Sequence, residues 1–280
     1  MQEQSAVKTR PIPSTGELLP LVGLGTYRGF DVEAPSALRV LGEVVDILLD
    51  AGRAMIDSSP MYGQAESVTG EVLDRLDRRE GAFLATKVWT RGKVNGAAQM
   101  EASLTKLRTD HVDLMQVHNL IDVDTHLDTL KGWKAEGRTP YVGVTHYHGG
   151  AYDELEAVMR RAPLDFVQLN YSLDDRVAEE RLLPLARDRG MAIIVNVPFG
   201  GGGLIQRLSR EPLPDFAADI GCRTWSQCLL KFVLGHPVVT CAIPGTGDAV
   251  HMGDNLAAAH GDLTQARDRI LAWWQSRSSN

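Results

Sequence analysis

A short apolar or β-branched run recurs about every thirty residues along this chain, and each run is followed by a longer stretch whose apolar residues repeat at helical spacing. The runs are Leu21–Gly25, Ala54–Asp57, Phe83–Lys87, Leu114–Val117, Tyr141–Val144, Phe166–Leu169, Ile193–Val195 and Val239–Ile243, each of a length suited to a buried parallel strand. After the first run, Leu38, Leu41, Val44, Val45, Leu48 and Leu49 fall three and four residues apart, and Gly52 stands where a helix C-cap would. Similar stripes occupy Val68–Leu76, Met100–Leu107, Leu127–Trp133, Leu155–Val158, Leu182–Ala186 and Trp225–Leu234. Eight alternating units predict an α/β fold, a single (β/α)8 TIM barrel, with residues 1–280 as one domain; 280 residues with 44% hydrophobic content suffice for one such core. An open doubly wound sheet would carry G-x-G-x-x-G after its first strand, and Gly23-Leu24-Gly25-Thr26-Tyr27-Arg28 lacks the third glycine.

Pro11-Ile12-Pro13 and the turn Ser14-Thr15-Gly16 predict a short N-terminal hairpin under the barrel, and a C-terminal helix carries Trp273 and Trp274, which cannot share one helix face. Residues 1–10 and 276–280 read as flexible tails, and Phe199–Cys222, rich in Gly and Pro, reads as a long functional loop. A net charge of −7, with Lys and Arg scattered, argues against a nucleic-acid partner. No apolar run approaches the roughly 20 residues of a membrane-spanning helix. Cys222, Cys228 and Cys241 have no C-x-x-C spacing, so neither a disulfide framework nor a zinc knuckle is expected, and a cytoplasmic location follows, a longer exported precursor being compatible with the same residues.

In a barrel of this kind the strand C-termini build the site. Those positions hold Asp57, Tyr62, Lys87 and His118, where a core would prefer Val or Leu. A tyrosine exchanges protons near neutrality when a cation stabilises its phenolate; Lys87 is the cation, Asp57 keeps it charged, and His118 can orient a substrate oxygen. The set is suited to polarising a carbonyl.

Through Asp57-Ser58-Ser59-Pro60-Met61-Tyr62-Gly63, Ala85-Thr86-Lys87-Val88-Trp89 and Asp113-Leu114-Met115-Gln116-Val117-His118, the chain resembles the aldo-keto reductase superfamily. The likeness continues in Val22-Gly23-Leu24-Gly25-Thr26, Gly143-Val144-Thr145, Phe166-Val167-Gln168-Leu169-Asn170-Tyr171, Ile243-Pro244-Gly245-Thr246 and Asp254-Asn255. The resemblance implies hydride transfer between a reduced nicotinamide and an aldehyde or ketone, with Tyr62 as general acid or base. NADPH is the expected cofactor, with NADH as the alternative. The resemblance places the nucleotide against Gly25, Thr26, Asp57, Thr145, His146, Gln168, Phe199, Pro244, Gly245, Thr246, His251, Asp254 and Asn255. Thr145 and Gln168 would hold the carboxamide, and Gly200, Gly201 and Gly202 would form a mobile cover for the pyrophosphate.

Three departures from the family pattern stand out: His146 in place of an asparagine, Asn196-Val197-Pro198-Phe199 without the usual stacking aromatic, and Gly245 and His251 where Lys and Arg often contact a 2′-phosphate. Tyr27, Trp89, Asn119 and His148, with Tyr147, are candidates for the wall of a small carbonyl substrate's pocket. His146-x-His148 also has metal-ligand spacing, but its obvious carboxylate partner, Asp57, belongs beside Lys87, so no metal is expected. A nucleotide-binding module that senses redox state with little turnover is the alternative function. A monomer or a small homo-oligomer is expected.

Overall fold

The structure is a computed structural model that describes residues 8–33 and 35–278. The chain enters through an antiparallel hairpin, β1 (Thr9–Pro11) and β2 (Leu18–Pro20), turned at Gly16 with φ 79°. Eight strands and their helices then alternate: β3 (Leu24–Gly25), α1 (Pro35–Asp50), β4 (Ala54–Asp57), α2 (Ala65–Leu76), β5 (Ala82–Val88), α3 (Lys93–Leu107), β6 (Leu114–His118) and α4 (Val123–Ala135). The second half runs β7 (Tyr141–His146), α5 (Tyr152–Arg161), β8 (Phe166–Asn170), α6 (Leu182–Asp188), β9 (Ala192–Asn196), α7 (Gly203–Leu208), α8 (Trp225–Leu234), β10 (Val239–Ala242), α9 (Ala249–Ala257) and α10 (Leu263–Ser278).

Strands β3 to β10 pair in sequence order, all parallel. The barrel closes through the bridges Val22↔Ala242 and Gly25↔Gly245, with Gly23 N donating to Ala242 O at 2.9 Å. The fold is therefore the (β/α)8 TIM barrel. Its first strand is shorter than Leu21–Gly25, because Val22 pairs only through that isolated bridge.

Strand period two sorts the side chains. Inside the barrel, Met55, Phe83, Leu114, Tyr141, Phe166, Ala192 and Cys241 form a dry layer, and Ile12 and Leu19 of the hairpin plug it from below. Outside, α1 buries Leu41, Val44, Val45, Leu48 and Leu49 in the layer between barrel and helices. One and two positions further along the same inward parity, at the C-terminal end, the interior turns polar: Asp57, Lys87, Gln116, His118 and Gln168 are all buried.

Three expectations about the chain's connections are corrected. Residues 8–10 are not a tail: β1 begins at Thr9, and the Arg10 guanidinium donates to the carbonyls of Leu234, His236 and Val239, stapling the hairpin to β10; residues 1–7 lie outside the described residues. At the other end, positions 276–278 continue α10, while 279 and 280 lie outside the described residues. Phe199–Cys222 is not a structureless loop, since it contains a 3-10 turn at Gly200–Gly202, helix α7 and a second turn at Asp215–Ala217. Leu204 and Leu208 anchor α7 in the core, which explains its order. No helix among the described residues is long and apolar enough to cross a membrane.

Candidate active site

Asp57 ends β4, Lys87 lies one residue before the end of β5, and His118 ends β6, so three neighbouring parallel strands deliver three polar side chains to one end of the barrel. Tyr62 follows β4 in a turn closed by the Tyr62 N to Ser59 O hydrogen bond of 3.0 Å. Lys87 is 0% exposed, and its Nζ donates to Asp57 Oδ2 at 2.6 Å and to Ser58 O at 2.7 Å. The ammonium lies 5.3 Å from the centre of the Tyr62 ring. His118 meets Tyr62 edge to face with ring centroids 6.0 Å apart, and its Nδ1 is 3.0 Å from Ser59 Oγ, which leaves Nε2 as the nitrogen for a ligand.

The electrostatics correct one expectation. Burial raises the Tyr62 phenol above its ordinary value, and the opposing pull of Lys87 does not cancel it, so the resting side chain is a neutral O–H donor rather than a stabilised phenolate. Burial alone would depress Lys87; the charges of Asp57, Tyr62 and Glu66 and the Asp57 hydrogen bond outweigh it and hold the ammonium above the usual lysine range. Burial, with the nearby Lys87 charge, pushes His118 down to about 3, so the imidazole is neutral at physiological pH.

Around this set stand the candidates for the substrate wall. Tyr27 packs against Tyr62 at 5.0 Å between centroids, and Trp89 against His118 at 6.5 Å; both remain partly exposed. Gln99 brackets the Trp89 backbone, accepting from its N at 2.5 Å and donating to its O at 3.3 Å. Asn119 adopts φ 52°, its N donates to Thr145 O at 2.8 Å, and its buried Oδ1 has no partner among the described residues. His146 stacks on Tyr147, and its Nδ1 accepts from His148 N at 3.1 Å; His148 Nδ1 in turn accepts from Gly150 N at 3.0 Å. The pair's δ nitrogens thus fold the loop, and no metal-ligating cluster forms among the described residues.

The proposed nucleotide residues divide into two groups. Thr145 and Gln168 are buried inside the barrel, while Gly245 and Thr246 lie on the β10 to α9 connection and His251 in the first turn of α9. Pro244 and Asn255 are buried beside them. Three of these assignments fall on groups with structural roles of their own. Thr26 is fully buried, with Oγ1 3.0 Å from both Asp57 O and Ser58 Oγ, so its hydroxyl serves the β4 backbone. Asp254 accepts from Thr224, Ser226 and Gln227, a carboxylate committed to the start of α8. Gly200, Gly201 and Gly202 have φ of 61°, 64° and 91°, and a Cβ on Gly200 would come within 2.8 Å of Leu204 Cβ, so the left-handed turn into α7 calls for glycine here. Phe199 packs against the core at the start of this turn.

Two participants escaped the sequence reading. Ser59 is the partner of His118, and Gln116 sits within the Asp57 shell. Gln116 was within reach, since it shares inward parity with Leu114 and His118 on β6.

The geometry defines a parallel barrel with a cluster of buried polar side chains at its C-terminal mouth. The profile of the Aldo/keto reductase family matches residues 21–269, and the chain belongs to that family, as an oxidoreductase. Among similar proteins, the oxidoreductase YrpG of Bacillus subtilis is 29% identical over 92% of this chain and 92% of its own length. The methylglyoxal reductase YeaE of Escherichia coli is 29% identical over 90% of each chain. A crystal structure of an aldo/keto reductase from Klebsiella pneumoniae, in complex with NADP and acetate, superposes with a TM-score of 0.78 at 26% identity, over 95% of this chain and 96% of that one.

Proposed function

We propose that the protein reduces a small aldehyde or ketone to the alcohol with a reduced nicotinamide nucleotide, NADPH before NADH, and that Tyr62 is the proton donor. The observation that carries this reading is the fully buried Lys87 ammonium, paired with Asp57 at 2.6 Å and 5.3 Å from the Tyr62 ring centre. The Klebsiella relative supports NADPH through its bound NADP, while an Escherichia coli relative, 27% identical over 74% of this chain and 72% of its own length, is an NADH-specific methylglyoxal reductase. The residues suit such a ligand. The buried Oδ1 of Asn196, at the end of β9 on the inward parity of Ala192 and Ile194, is an acceptor without a partner among the described residues, and a carboxamide brings the N–H donor it lacks. Thr145, His146 and Gln168 would hold the carboxamide, with Gly245, Thr246 and His251 toward the far end of the nucleotide.

When bound, the reduced nicotinamide supplies the hydride. The chain supplies the proton and the field. His118, neutral and anchored by Ser59, presents Nε2 to the carbonyl oxygen and orients it. Tyr62, held neutral by burial, donates its phenolic proton to that oxygen as the C–O double bond becomes a single bond. The tyrosinate left behind faces the Lys87 ammonium, 5.3 Å from the ring centre, whose positive charge stabilises it. Lys87 therefore acts mainly after the proton has moved, and a solvent proton then restores the phenol. Tyr27 and Trp89 offer flat apolar surface to the substrate.

Tyr62→Phe tests the reading. Reduction of methylglyoxal should fall by about 10²-fold or more while NADPH titration by quenching of tryptophan fluorescence stays unchanged. Wild-type turnover in this variant refutes the assignment.

A further inference from the structure

We infer that Gln116 is a positioning residue that ties the Lys87–Asp57 pair to Gln168, an inference that rests on the proposed reduction. Its place is set by the sheet: Gln116 is the register partner of Lys87 across β5 and β6 and of Gly143 across β6 and β7. A Cβ on Gly143 would stand 3.3 Å from Gln116 Cγ and 2.8 Å from Phe166 O, so the glycine makes the room in which this side chain lies.

The hydrogen-bond inventory admits one arrangement. The Asp57 carboxylate can only accept, and it takes Lys87 Nζ and Gln168 Nε2 on Oδ2, at 2.6 and 3.3 Å, and Gln116 Nε2 on Oδ1, at 3.3 Å. With its amide nitrogen committed to Asp57, Gln168 turns Oε1 away, and the second N–H of Gln116 meets that oxygen at 3.0 Å. Turning either amide over would set a carbonyl oxygen against the carboxylate. Gln116 Oε1 is then left buried with no partner among the described residues, the cost of turning the amide nitrogen to Asp57 and Gln168. A core position that keeps a half-satisfied amide is explained by what the amide orients: the carboxylate that holds Lys87 beneath Tyr62, and the Gln168 amide proposed to meet the nicotinamide.

The test is Gln116→Met and Gln116→Glu, assayed with methylglyoxal and NADPH beside Tyr62→Phe. Gln116→Met should lose about ten-fold or more in kcat, the usual worth of a hydrogen bond to a charged group, with the methylglyoxal KM changed little and the NADPH Kd raised. Asp57 Oδ1 and Gln168 Oε1 would each lose their Gln116 donor, so the variant's melting temperature should also fall, and the readout that a merely structural glutamine would not move is the pH profile of Gln116→Glu. Gln116→Glu donates only when protonated, so its kcat should recover as pH falls. Wild-type kcat in Gln116→Met, or a pH-independent loss in Gln116→Glu, overturns the inference. If Tyr62→Phe is inactive while Gln116→Met is unimpaired, the Gln116 inference alone fails; if Tyr62→Phe turns over normally, both fail.

Discussion

Lys87→Met should separate the electrostatic role of the lysine from its contribution to stability. The side chain is fully buried, and its two protein acceptors, Asp57 Oδ2 and Ser58 O, would both lose their shortest donor. Asp57 is 2% exposed and would keep only the two long contacts from Gln116 and Gln168, so its carboxylate would be a nearly uncompensated buried charge. Breaking such a pair costs about 3 to 5 kcal/mol, roughly 10 °C in melting temperature for a chain of this size. The raised pKa of Lys87 fixes the pH window: its stabilisation is complete below the unfolded lysine value of about 10.4 and is lost only as pH climbs through the higher folded value. The stability gap between wild type and Lys87→Met should thus be constant from neutral pH to about pH 10 and close in stronger alkali. Urea unfolding across that range measures it. The double variant Asp57→Asn with Lys87→Met should regain much of the stability and none of the activity, because it removes the stranded charge without restoring the cation that faces the tyrosinate. A Lys87→Met protein as stable as wild type would refute the argument that two buried charges hold one another in place.

Two further outcomes follow from the same structure. Because His118 titrates at about 3 and the Tyr62 phenol lies above its ordinary value, kcat for reduction should show no inflection near the usual histidine pKa and should decline only in alkali beyond the usual tyrosine range; a break near pH 6.5 that disappears in His118→Asn would contradict the neutral imidazole. Gly70→Ala should destabilise the fold by about 1 to 3 kcal/mol with activity kept in the folded fraction, since its Cβ would stand 2.4 Å from Lys106 O and 2.8 Å from Leu107 C, backbone atoms at the close crossing of α2 and α3; thermal unfolding checks this, and an unchanged midpoint would show that the helices separate freely.

The strand runs and the four polar residues at their C-terminal ends were legible in the chain because both are local: a buried parallel strand declares itself by composition and length, and period two assigns each side chain to the barrel interior or to the helix layer. Asp57, Lys87 and His118 arrive together because adjacent parallel strands end at the same rim. The tertiary structure alone decided which groups share one carboxylate. Gln116 sits on inward parity like its neighbours, but its meaning depends on Asp57 and Gln168, 59 and 52 residues away. The commitment of Asp254 to α8 has the same origin in distant contacts. So does the balance at Tyr62: the sequence shows a tyrosine with a lysine to its aid, but whether desolvation or the ammonium prevails depends on how much water the assembled barrel mouth excludes, a quantity that exists only once all eight strands have closed.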